Sequence, residues 1–144
     1  MSRWQPLVSV GSVVSDGYGS ERGDRACGCT LTPTLPGDTD DACAVAMTFG
    51  WPEVEVVGIT TTADPDGQRA GYLCRFLELA GRLDVPVAAG AGRSLTTGRP
   101  MGGLPDHERY WATAVAARPS PPGEAIDLLA HSIDVGAVIV AIGP

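Results

Sequence analysis

VEVVGITTTADPDGQRAGYLCRFLELAGR, residues 54–82, is the stretch whose reading decides the fold. Its first part, VEVVGITTT, is β-branched and apolar without strict alternation. A strand with one face in water alternates polar and apolar residues. A continuous run is buried on both faces, as in a parallel sheet. After ADPDG the period changes. Tyr72, Phe76 and Leu79 fall on one helical face with Leu73, Leu77 and Ala80 beside them, which predicts an amphipathic helix ending near Gly81. A doubly buried strand followed by an amphipathic helix is the beginning of a βαβ unit.

The same alternation runs outward in both directions. DDACAVAMTFG (40–50) opens on aspartate and closes on glycine, the charge pattern of a helix start. VPVAAG (85–90) reads as a short strand, PPGEAIDLLAHSI (121–133) as a helix entered through proline, and VGAVIVAIGP (135–144) as a second fully apolar strand. Residues 91–122 carry Gly, Pro and charge with weak periodicity and read as a long surface excursion. VSVGSVV (8–14) is a candidate short strand within a segment, residues 1–31, that is otherwise Gly/Ser-rich and poorly patterned. The glycines of GYGSERG (17–23) miss the dinucleotide-loop spacing by one residue, so this reads as a plain loop. The expected architecture is α/β and Rossmann-like, a mostly parallel sheet flanked by helices, with the domain proper at residues 32–144. In such sheets ligands bind beyond the carboxyl ends of the strands.

Bulk composition narrows the partners. The chain has 144 residues, 44% of them apolar, enough for one domain with a real core. A net charge of −7 without any Lys/Arg run argues against nucleic acid and against anionic membrane. No apolar stretch approaches the ~18 residues of a membrane span, and MSRWQPLVSV lacks the layout of a signal peptide. A cytoplasmic protein is expected. The four cysteines and two histidines form no paired metal-ligand pattern, and Cys43 and Cys74 are expected as small buried apolar groups.

Chemistry concentrates in TLPGDTDDACAV (34–45), where Asp38, Asp40 and Asp41 fall within four residues. Like charges so close repel. One aspartate capping the following helix stabilises it by about 1 kcal/mol, and the others are surplus to that job. Capping with solvation is one reading. A divalent cation with oxygen ligands, or hydrogen bonds to sugar hydroxyls, is the other.

LPGDTDDACAVAM, PEVEVVGITTT, LELAGRLDVPVAAGAGRSL and VIVAIGP, in this order and spacing, resemble the inosine-uridine preferring nucleoside hydrolases over roughly residues 32–144. ERYW (108–111) fits a subgroup of that family. The resemblance implies the N-terminal half of the nucleoside hydrolase fold. It also implies hydrolysis of a ribonucleoside N-glycosidic bond by Ca²⁺-activated water. Carried over by position, Asp41 is a metal ligand and Asp40 a ribose contact. Asp64 is a further ribose contact, with Asp66 as the alternative in that loop, and Asp38 has no assigned role.

The resemblance fails at two places. The family's Asp-x-Asp falls on Thr32-Pro33-Thr34, so Thr34 occupies the position of the general base. A threonine hydroxyl is far too weakly acidic to serve as a base near neutral pH. The family also continues into a second half, so the chain is expected to be a truncated, impaired hydrolase, or else a non-catalytic ribose- or cation-binding module. A lone half leaves a sheet edge and an apolar face open, which predicts self-association into a homo-oligomer. Codon arithmetic offers an origin for the first failure. A one-base shift turns each Cys codon of ACGCTLTPT (26–34) into one for Leu, Val or Met, and lets Thr32 and Thr34 become Asp. A frameshift near codon 34 would make the preceding residues an out-of-frame read.

The remaining chemistry-bearing residues have plain readings. His107 is expected to be a solvated loop residue and His131 a helix-surface one. Tyr110 and Trp111 pack their loop against the domain or stack on a nucleobase.

Overall fold

The computed structural model describes residues 27–32, 39–101 and 111–142. The expected strand at 8–14, together with Thr34, Asp38, His107, Tyr110 and Pro144, lies outside them. Four strands, β1 (Cys27–Thr32), β2 (Val54–Thr60), β3 (Val87–Ala88) and β4 (Val138–Ala141), form one sheet in the order β3-β2-β1-β4. Every pairing in it is parallel. Three helices, α1 (Thr39–Gly50), α2 (Gln68–Leu79) and α3 (Glu124–Asp134), connect the strands.

Side-chain alternation along β1 assigns the helices to faces. Cys29 and Leu31 join Val56, Ile59, Val45 of α1, and Leu73 and Leu77 of α2 in the main core. Thr30, pointing the other way, donates through Oγ1 to Ser132 Oγ of α3 at 2.7 Å, a buried contact between positions 102 apart in sequence. Ser132 Oγ in turn donates to the Leu128 carbonyl oxygen at 2.8 Å. Burying two hydroxyls without partners would cost several kcal/mol; here each satisfies the other. The α3 face is tight. A Cβ on Gly58 would lie 2.8 Å from Leu128 Cδ1.

Where β1 pairs with β2 the register shifts between Cys29 and Thr30. Val57 is the extra residue, and the slip lets both Val56 and Ile59 reach the main core. Pro86, which has no N–H to give, stands where only an edge strand tolerates it. Its carbonyl accepts the Ile59 N–H at 2.9 Å.

Several expectations change. β1 straddles the expected boundary between residues 1–31 and 32–144, and most of it lies in the segment read as unpatterned. The strand was obscure because its second face carries small or polar residues: Gly28 fits tightly beside Val57 and Ala137, and Thr30 meets Ser132 of α3, where a hydroxyl partner suffices. β4 was expected to be buried on both faces, yet Val138 is 52% and Ile139 41% exposed, because β4 is an edge of this sheet. Leu79 is also exposed, so the buried stripe of α2 runs through Ala70, Leu73 and Leu77 instead. Cys43 is exposed and Cys74 half-buried, against the expectation that both are buried. Burial pushes the Cys74 thiol up, partly offset by the nearby Arg118 guanidinium. Among the described residues, no helix is long and apolar enough to cross a membrane.

Candidate functional site at the carboxyl edge of the sheet

Because all the strands are parallel, their carboxyl ends open on one edge. The loop after β2 and the loop after β3 therefore emerge side by side, on the edge where β1 also ends. In α1 the buried stripe is Asp41, Val45 and Thr48, spaced as one helical face. Asp41 is thus drawn inward and only 6% exposed, while its neighbour Asp40 faces solvent. Both lie in the first turn, where the helix dipole favours negative charge.

The loop after β2 is built around Asp64, which is 3% exposed. Its Oδ1 accepts the Arg69 N–H at 2.9 Å, and its Oδ2 accepts the Ala70 N–H at 2.8 Å and the Thr61 hydroxyl at 2.9 Å. Gly67, the residue before α2, contributes no side-chain cap. Asp64 does that work from outside the helix, satisfying amide groups of the first turn that have no intrahelical partner. The carboxylate expected to touch ribose is therefore engaged in bracing its own loop. Asp66, the alternative, is exposed.

The loop is held on its other side as well. Thr61 N–H donates to the Ala88 carbonyl at 3.0 Å. A Cβ on Gly90 would lie 2.0 Å from the Thr61 carbonyl oxygen, so only glycine allows the β3 loop this close. Two features stand out between these anchors. Ala63 adopts φ 52°, a left-handed conformation that costs a non-glycine residue about 1–2 kcal/mol. The Oγ1 of the preceding Thr62 is buried with no hydrogen-bond partner among the described residues. Leaving a buried hydroxyl unpaired costs about 1–3 kcal/mol.

Other candidates lie elsewhere. Trp111 packs on Tyr72 of α2, ring centroids 5.3 Å apart, which is the packing reading of that loop. His131 is exposed on α3. A cavity of about 320 Å³ beside β3 is lined by Cys74, Leu77, Arg82, Val87, Arg118 and Glu124 among others, and none of Asp40, Asp41 and Asp64 borders it.

A divalent cation fits these residues poorly. Among the described residues, no three His, Cys, Asp or Glu side chains gather to hold a metal ion. Asp64 is occupied as a cap, which leaves Asp41 as the inward-facing carboxylate of the α1 turn, against the 6–8 oxygens (roughly) that calcium takes.

An open parallel α/β sheet with acidic and hydroxyl side chains gathered at its carboxyl edge defines a class of small-molecule-binding domains and enzymes. Comparison with known proteins narrows that class. Over 74 residues the chain is 41% identical to uridine nucleosidase 1 of Arabidopsis thaliana, a match covering 49% of the chain and 21% of that protein. It is 42% identical over 75 residues to probable uridine nucleosidase 2 of Oryza sativa subsp. japonica, again 49% of the chain and 21% of the relative. The fold is similar to a solved plant nucleoside hydrolase, PpNRh1, with TM-score 0.67 and 25% identity over 83% of the chain and 40% of that structure. No protein-family profile matches the chain. In both fold and sequence the chain is similar to nucleoside hydrolases, over part of their length. The matched stretch covers about a fifth of the length of these curated relatives.

Proposed function

We propose that the carboxyl edge of this sheet binds the ribose of a nucleoside, and that the chain is a nucleoside hydrolase-like protein with impaired or absent hydrolysis. The observation that supports this best is the parallel sheet itself. Adjacent parallel strands β1 and β2 end on one edge, β1 leading toward α1 with Asp40 and Asp41 and β2 into the loop with Thr61 and Asp64, in a chain 41% identical to a uridine nucleosidase over 74 residues. In this reading Asp40, exposed at the helix start, contacts a ribose hydroxyl. Asp64 serves the site by holding its loop and helix in place, with at most a minor direct contact. Asp41 is the carboxylate a Ca²⁺ would use. A site with so few carboxylates should bind calcium no tighter than about 10⁻⁴–10⁻³ M.

Cleavage of an N-glycosidic bond needs a base to take the proton of the attacking water. Thr34 stands where the resemblance puts that base, and its hydroxyl cannot perform the role. Asp64, saturated by three donors, is no substitute. Those two facts favour the second reading, a ribose- or cation-binding module without catalysis. We further infer a cytoplasmic protein that self-associates through the apolar residues exposed on α3 and β4, among them Ile133, Val138 and Ile139.

Titration calorimetry with uridine, with and without CaCl₂, tests the proposal. The expected result is millimolar-range uridine binding weakened by Asp40→Ala, with little or no release of uracil. Heat-silent titration at saturating uridine, or binding indifferent to Asp40→Ala, refutes it.

A further inference from the structure

We propose that Thr62 is a ligand-binding residue, its hydroxyl pairing with a ribose hydroxyl once a nucleoside occupies the carboxyl edge; this rests on the ribose-binding reading above. Native folds rarely leave a buried hydroxyl unpaired, and each instance asks for a partner the free protein lacks. Thr62 Oγ1 is such a case among the described residues. The neighbouring Thr61 hydroxyl shows the contrast. It donates to Asp64 Oδ2 at 2.9 Å and accepts from the Gly90 N–H at 3.4 Å, so it is fully used within the fold.

The backbone at this point is also unusual. Ala63, directly after Thr62, is held at φ 52°, and it is the non-glycine residue with positive φ among the described residues. Such strain persists only where surrounding structure imposes it, and it concentrates at ligand sites. Here the imposing structure is visible. Thr61 is tied to Ala88, Asp64 is tied to the first turn of α2, and Ala63 must turn the chain between them. The left-handed residue thus fixes where Thr62 stands as β2 gives way to the loop.

A hydroxyl both donates and accepts, as does each hydroxyl of a ribose, so the pair is chemically matched. A carboxylate or a cation would use only one of those capacities. Because the oxygen is shielded, contact with the sugar requires the loop after β2 to open locally.

The test uses the full chain as wild type, Thr62→Val and Thr62→Ser, with uridine as the probe. Valine keeps the shape and removes the hydroxyl; serine keeps the hydroxyl. Thermal unfolding without ligand is expected to leave Thr62→Val at or above the wild-type Tm, since no hydrogen bond to a described residue is lost. Calorimetry is expected to raise its uridine Kd about tenfold, with Thr62→Ser within about threefold of wild type. A fall in Tm of more than about 4 °C for Thr62→Val means the hydroxyl already has a partner in the fold, and overturns the proposal. Equal uridine affinity in wild type and Thr62→Val overturns it while leaving the ribose site standing. Failure of the wild type itself to bind uridine overturns the ribose site and this proposal together.

Discussion

Replacing Asp64 by alanine should unfold the loop after β2 and fray the start of α2. The carboxylate accepts three hydrogen bonds at 2.8–2.9 Å while only 3% exposed. Two of the donors are the Arg69 and Ala70 amides of the first helical turn, which have no other helical partner. Each amide left buried and unpaired costs about 1–3 kcal/mol. Water entering the frayed turn recovers some of this, so the expected loss is about 2–5 kcal/mol, a large share of the roughly 5–15 kcal/mol that holds a domain together. That corresponds to a fall in Tm of roughly 7–17 °C. Asp64→Asn should lose about half as much, because the amide oxygen still accepts while its NH₂ meets donors. Circular dichroism melts measure the Tm. Native-state hydrogen exchange should show the Arg69 and Ala70 amides losing protection first. A variant that melts within about 2 °C of wild type, with those amides still protected, would refute the capping argument.

Three further expectations follow from the same structure. Gly90→Ala puts a methyl 2.0 Å from the Thr61 carbonyl, backbone against backbone, and should cost at least about 1–3 kcal/mol in urea unfolding; Gly50→Ala, with no atom within 4 Å of the new Cβ, should cost nothing. Iodoacetamide at neutral pH should alkylate exposed Cys43 well before half-buried Cys74, whose thiol is pushed above its ordinary range by burial, and peptide mass mapping should show Cys74 catching up only as the pH rises. The double substitution Thr32→Asp, Thr34→Asp supplies the two carboxylates that the resemblance puts at these positions and should tighten calcium binding about tenfold or more in calorimetry; unchanged affinity would mean that these positions take no part in a cation site.

The sequence by itself determined the class of fold. The apolar run of β2 and the periodic faces of α2 and α3 are local signals, set by residues a few positions apart, and each element formed close to where its pattern lay. The crowding of Asp38, Asp40 and Asp41 is a local signal of the same kind, and it singled out the start of α1 as the candidate site. Only the tertiary structure decided β1, because the period-2 alternation of Cys-Gly-Cys-Thr-Leu-Thr rests on small, weakly apolar cysteines and a single leucine, too faint a local signal to mark a strand. Its burial depends on Ser132, 102 positions away from Thr30, and on the closeness of α3. It also sorted the aspartates. Helical phase turned Asp41 inward and Asp40 outward, and the chain's return through Gly67 brought the α2 amides onto Asp64, which therefore caps the helix. Periodicity records which way a side chain points within one element. Which donors reach a carboxylate, and which hydroxyl is left without one, depends on how separate elements close on each other, and no local pattern encodes that.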